Sequence, residues 1–247
     1  MTFCMLYDVD DIRNLHVACI ETIDYCNRMC SWCPNSERYQ NRDDKMSEEC
    51  FERVLSELAK VRDDWEFHPY FRNDPLCDPD ILRRTRRIKQ VFPESFVRLT
   101  TNGDALNDSE SIIETLNSGV DSIFISHYDG PLSEIHTKVD KDFPRVVHHG
   151  KRYFDEIFYN RAGLVDVEYR NPKHDRCSLP FVKVYILWNG DIVLCCSDFY
   201  GTVVFGNIMK NGIEEIWDSY LWRRYRIKHM AGMGRDMLLC DKCDILT

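Results

Sequence analysis

Two rhythms of apolar and polar positions alternate along the chain. Asn14 to Ile23 (NLHVACIETI) is rich in apolar and β-branched residues and reads as a buried strand. Ser47 then caps a helix in which Phe51, Val54, Leu55 and Leu58 keep helical spacing. The same alternation repeats: a strand over Trp65 to Phe71, a helix over Asp78 to Val91, a strand over Phe96 to Thr101 ending at Asn102-Gly103, a helix over Asp108 to Ser118 and a strand over Ser122 to His127. Strand then helix with short loops predicts a parallel sheet with right-handed crossovers, an α/β partial barrel. In that architecture chemistry collects at the C-terminal ends of the strands.

From about Val146 the rhythm changes. Phe181 to Leu187 and Asp191 to Leu194 read as a hairpin across Trp188-Asn189-Gly190, and Ile213 to Lys228 as one amphipathic helix. The chain is expected to divide at 150/151 into a partial barrel (1–150) and a small second domain (151–247). The latter is below the size that easily builds its own core, so a bound metal cluster is the expected source of its stability.

Composition narrows the function. With 247 residues, 44% apolar and 30% charged, the chain is an ordinary globular protein. A net charge of −9 argues against nucleic acid as the main partner. The basic runs Arg83-Arg84…Arg86-Arg87 and Arg223-Arg224…Arg226 fall in predicted helices and read as solvated faces. No secretory leader pattern and no apolar run long enough for a membrane span is read, so a cytoplasmic location is expected. Twelve cysteines in such a chain point to metal or catalysis rather than disulfides.

The cysteines fall into two constellations. Cys26, Cys30 and Cys33 are spaced CxxxCxxC directly after the first apolar strand. Three thiolates there can hold three irons of a 4Fe–4S cube and leave the fourth iron open, whereas structural zinc wants a fourth ligand. Cys177, Cys195 (in Gly-x-x-x-x-Cys from Gly190) and the terminal pair Cys240-Asp241-Lys242-Cys243 form a second set of four. The spacing alone leaves a closed iron–sulfur cluster and a zinc ion equally open there. Cys4, Cys19, Cys50 and Cys77 lack metal spacing and read as structural.

The first constellation, with aromatic Trp32 before its last cysteine, resembles the radical S-adenosylmethionine enzymes. The second resembles their one-cluster Twitch domain, the reduced form of the SPASM domain. The resemblance implies two 4Fe–4S clusters and S-adenosylmethionine as cofactors, and a flavodoxin- or ferredoxin-type electron donor. It implies cofactor contacts from Trp32, from Asn73 and Asp74 in Arg72-Asn73-Asp74-Pro75 (a Gly-Gly-Glu-Pro turn in the family), from Thr101 and Asn102, and from the strand-end Ser126 and His127. Asn160-Arg161-Ala162-Gly163 resembles a segment whose arginine faces the active site in aminocyclitol-oxidising members, which makes Arg161 a cofactor or substrate contact.

Cys196 reads either as a buried apolar residue or as a hydrogen-atom donor, and Asp198 as a carboxylate that assists substrate deprotonation. The resemblance implies hydrogen-atom abstraction from a hydroxylated carbon of a sugar or aminocyclitol and its oxidation to a ketone, the electron passing to the auxiliary cluster. An epimerase of a sugar, cyclitol or peptide, quenched by a Cys196 thiol, is the alternative. A non-catalytic iron–sulfur or zinc-stabilised binding module is the reading from another class.

Overall fold

The computed structural model describes residues 7–38, 40–41, 43–126, 146–149, 160–166 and 175–244. Eight strands form one sheet in the order β5-β4-β3-β2-β1-β6-β7-β8. They are β1 (Val17–Ile20), β2 (Glu66–His68), β3 (Phe96–Thr101), β4 (Ser122–Ser126), β5 (Val146–His149), β6 (Lys183–Ile186), β7 (Asp191–Val193) and β8 (Val204–Asn207). From β5 through β1 to β6 every pairing is parallel. The pairings of β7 with β6 and with β8 are antiparallel.

The first half follows the predicted alternation, with helices α1 (Glu48–Leu58), α2 (Ile81–Val91) and α3 (Ser109–Asn117). Ser47 caps α1 by accepting from the Cys50 N–H, and Asp108 caps α3 in a reciprocal capping box with Ser111. Beyond two strands that the sequence did not mark, β5 and β8, the second half differs from expectation in three ways. Phe181 and Val182 lie in a short helix, α4 (Leu179–Val182), so the strand begins only at Lys183. The predicted helix over Ile213 to Lys228 is two, α5 (Ile213–Trp217) and α6 (Tyr220–Met230), because Ser219 interrupts the first and caps the second by accepting from the Trp222 N–H. Most consequentially, the hairpin is not separate: β6 pairs in parallel with β1 over Val17↔Lys183 to Ile20↔Ile186 and extends the barrel sheet.

One apolar core therefore runs through both halves. Ala18, Phe67, Leu99 and Ile123 share it with Val184, Ile192, Phe205, Ile216 and Trp222. Gly206 allows its closest approach, since a Cβ there would lie 2.9 Å from the Ile216 side chain. Side chains alternate across strands, and the other sheet face carries a second cluster of Val17, Cys19, Tyr185, Leu187 and Val193.

Each basic run hides one buried arginine, against the expectation of solvated faces. Arg83 and Arg87 do pair with Glu48 and Glu52 near the surface. Arg84 is 2% exposed and donates to the carbonyls of Thr22 and Met46. Arg226 is fully buried, 3.5 Å from the Trp217 ring centroid, and donates to the Val9 and Trp217 carbonyls. Among the described residues no helix is long and apolar enough to cross a membrane.

Candidate functional site

β1 ends at Ile20 and delivers Glu21 to Asp24, then the cysteine loop, at the C-terminal rim of the sheet. The loop is shaped by its own polar groups. The Cys26 N–H donates to Gln40 Oε1 (2.8 Å), the Cys33 N–H to the Cys30 carbonyl (2.9 Å), and the Ser36 hydroxyl to the Cys33 carbonyl (2.8 Å). Arg28 forks onto Asp104, which also accepts from Asn27 (2.7 Å). All three cysteines are half-buried. Burial pushes the Cys26 thiol up to about 12.

Beneath the loop lies a buried charge network. Arg72 forks onto Glu21 (2.7 and 2.6 Å) and donates to the Phe199 carbonyl (2.9 Å), while Arg38 donates to Asp24 (2.8 Å). Burial raises the Glu21 carboxyl, against the pull of Arg72. Arg72 thereby ties the strand entering the first cysteine loop to the turn that follows Cys195.

The Asn73-Asp74 turn and Thr101-Asn102 meet. Asp74 accepts from the Thr101 hydroxyl (3.0 and 2.9 Å), the Asn102 N–H (2.7 Å) and the Leu76 N–H (3.0 Å). The Asn102 amide donates to Asn27 (2.8 Å) and lies 4.0 Å from Cys26 Sγ. Asn73 uses its carbonyl oxygen on the Phe71 N–H (2.9 Å), and its buried amide nitrogen has no partner among the described residues. Ser126 is buried at the end of β4. Trp32 is half-buried and lines a cavity with Cys33, Glu37, Leu164 and Asp166. His127 lies outside the described residues, as does Cys4.

Arg161 is held by an unusual backbone. Arg161, Ala162 and Gly163 all take positive φ (50°, 56° and 85°), a left-handed run costly for the two non-glycine residues. What holds it is the C-terminal segment: the Asn160 N–H donates to Asp244 (2.6 Å) and its amide to the Lys242 carbonyl (2.8 Å). A Cβ on Gly163 would lie 3.3 Å from the Lys242 side chain. The Arg161 guanidinium lies 5.8 Å from the Phe199 ring centroid.

Cys196 packs on the inner-face cluster with Cys19 and Tyr185. The neighbouring Cys195 thiol lowers the Cys196 thiol most, burial opposes this, and the Arg161 guanidinium and Tyr185 hydroxyl add to the lowering. Asp198 does not face this space. It is 1% exposed, and its carboxylate accepts from the Thr202 (2.7 Å) and Val203 (2.9 Å) N–H groups, anchoring its own turn.

Cys177, Cys195, Cys240 and Cys243 line one cavity with about 490 Å³ of empty space, part of it open to solvent. Among the described residues no three Cys, His, Asp or Glu groups converge closely enough to hold a single metal ion. Four cysteine thiols lining one cavity are the donor set that closes a 4Fe–4S cluster. Its walls also include Ser197 and His229, and His229 Nε2 lies 3.5 Å from Cys240 Sγ. Sequence reasoning missed His229, the Glu21–Arg72 pair, Asp104 and the Asn160–Asp244 clamp. The acids closing β1 signalled the second; the others depend on tertiary contacts between distant segments.

Residues 20–146 match the Radical SAM superfamily, and residues 177–244 match SPASM, an iron–sulfur cluster-binding domain. The S-adenosyl-L-methionine-dependent 2-deoxy-scyllo-inosamine dehydrogenase of Niallia circulans is 22% identical over 231 residues, covering 91% of each chain. The structure of BtrN in complex with AdoMet and 2-DOIA superimposes with a TM-score of 0.82 at 20% identity over 94% of each chain. Native anSMEcpe with bound AdoMet superimposes with a TM-score of 0.53 at 11% identity, over 85% of this chain and 83% of that one. Three thiols at the rim of a parallel sheet, four more around one cavity, and a family match at each place give the same answer: this chain belongs to the radical SAM superfamily, as an enzyme with a SPASM-type C-terminal part, S-adenosylmethionine and two 4Fe–4S clusters as its cofactors.

Proposed function

We propose that the chain oxidises a hydroxyl-bearing carbon of a sugar or aminocyclitol to a ketone. The observation that supports this reading is that Arg72 bonds both Glu21, which leads into the first cysteine loop, and the Phe199 carbonyl in the turn after Cys195, linking the segments that carry the two cysteine sets. Cys26, Cys30 and Cys33 hold the first cluster, and Cys177, Cys195, Cys240 and Cys243 close around the second. When bound, these groups supply a 5′-deoxyadenosyl radical at the first site and a one-electron acceptor at the second.

The protein's own residues bind, orient and shield. Asp74, braced by Thr101 and Asn102, presents a carboxylate for the methionine ammonium. Trp32, Asn73, Ser126 and His127 complete the cofactor contacts, and Arg161 offers a guanidinium fork to substrate hydroxyls. His68 faces inward from β2, its Nε2 donating to Glu66 (2.7 Å), and burial lowers its pKa. Its Nδ1 faces the Tyr70 hydroxyl (3.5 Å) and Cys19 Sγ (3.9 Å), and the carbinol proton would reach it through, or in place of, those groups. The reaction balances: the carbinol carbon loses a hydrogen atom and an electron, and its hydroxyl loses a proton.

The relative's dehydrogenase activity over nearly the whole chain supports this chemistry, and an aminocyclitol as its substrate class. A flavodoxin- or ferredoxin-type donor in the cytoplasm would supply the first electron. The test is product mass in deuterated water. Oxidation gives a product lighter by about two mass units with no deuterium on carbon. An unchanged skeleton carrying one deuterium would identify an epimerase, with Cys196 beside Tyr185 as the donor thiol, and would overturn the proposal.

A further inference from the structure

Ser197 stands where no hydrogen bond accounts for its hydroxyl. The residue is 1% exposed, its Oγ has no partner among the described residues, and it lines the same cavity as the four auxiliary cysteines. Its position is fixed by the turn it sits in. The next residue, Asp198, donates its N–H to the Cys195 carbonyl (3.0 Å) and anchors Thr202 and Val203. A buried hydroxyl without a partner is costly and rare. The acceptors missing from that cavity are the sulfurs of the cluster the four thiolates would hold.

We propose that the Ser197 hydroxyl donates a hydrogen bond to a sulfur of the auxiliary cluster and raises its reduction potential. The reduced cluster carries one more negative charge than the oxidised one, so a fixed donor stabilises the reduced form more. The direction suits a site that must accept an electron from substrate. In the same cavity His229 approaches Cys240 at 3.5 Å, and it stays unchanged in the test below.

This inference rests on the assignment of the four cysteines to a cluster and on that cluster's role as electron acceptor. Its experiment uses no substrate, so its outcome is separate from that of the product-mass test. The holoenzyme, Ser197→Ala and Ser197→Thr are compared anaerobically by iron content and by a redox titration followed by electron paramagnetic resonance. The expected result is full iron in all three, a more negative auxiliary midpoint in the alanine variant, a near-native one in the threonine variant, and an unmoved first cluster. Full iron and an unchanged potential in Ser197→Ala would overturn the proposal. If alanine loses auxiliary iron, Ser197→Val is compared with threonine, which keeps the hydroxyl on the same shape. A lower potential or lost iron in valine alone supports the hydroxyl's role; equal behaviour of the two overturns it.

Discussion

Glu21 and Arg72 show how one pair of side chains can hold two sites in register. Both are buried; Glu21 accepts from Arg72, and Arg72 also donates to the Phe199 carbonyl and lies 3.8 Å from the Asp24 carboxylate. Removing one partner leaves an uncompensated buried charge, typically worth about 3–5 kcal/mol, whereas removing both with apolar replacements is far milder. Arg72→Met should therefore lower the thermal unfolding midpoint of the anaerobic protein sharply, and Glu21→Leu/Arg72→Met should recover most of the loss. Equal destabilisation of single and double variants would show that the pair acts through packing alone. Spacing grouped seven cysteines into sets of three and four, and the structure brings Cys177, Cys195, Cys240 and Cys243, which are distant in sequence, to one cavity. The inward arginines were harder. Arg84 lies in register with Ile81 and Ile88, and Arg226 one turn from Trp222, so helical period placed both on buried faces. Their type pointed outward, and the carbonyls and rings that receive them come from distant segments.

Among the elements, α1 and α5 are joined by Glu57, whose side chain is 1% exposed. It accepts from the Ile213 N–H at the start of α5 (3.0 Å) and pairs with Lys60 (2.5 Å) and Arg53 (2.9 Å). Burial alone would raise its pKa, but these three partners outweigh it and the carboxyl is lowered. A lowered carboxyl contributes stability when ionised. Its contribution is present above the ordinary glutamate value of 4.5 and fades as pH falls through the folded value. Glu57→Gln should cost about 1–2 kcal/mol at neutral pH and approach zero cost in acid, read from unfolding midpoints across that range. A cost that does not change with pH would assign the effect to shape. Strands β1 to β4 and the first-half helices were legible because a period of two or 3.6 was uninterrupted, whereas β5 and β8 carried no such signal. The break at Ser219 was not, since a good cap inside an amphipathic run resembles a tolerated polar position until the second helix turns away.

At the scale of the molecule, the second half shares its sheet and its apolar core with the first. β6 is the sixth parallel strand, and the apolar core runs from Phe67 to Trp222 without interruption. The sequence showed a hairpin but not its lateral partner, because parallel pairing across more than a hundred and sixty residues (Val17 with Lys183) leaves no local trace. A shared core means that cluster chemistry can be altered at one site while the fold persists, so the two cysteine sets can be tested independently. The decisive measurement is iron content together with 5′-deoxyadenosine release in a variant with Cys26, Cys30 and Cys33 all replaced by alanine. The native enzyme should hold about eight irons in two cubes. The variant should remain folded, keep about four irons on Cys177, Cys195, Cys240 and Cys243, and release no 5′-deoxyadenosine with dithionite. A folded variant that keeps its full iron, or still cleaves S-adenosylmethionine, would contradict the assignment on which the whole account rests.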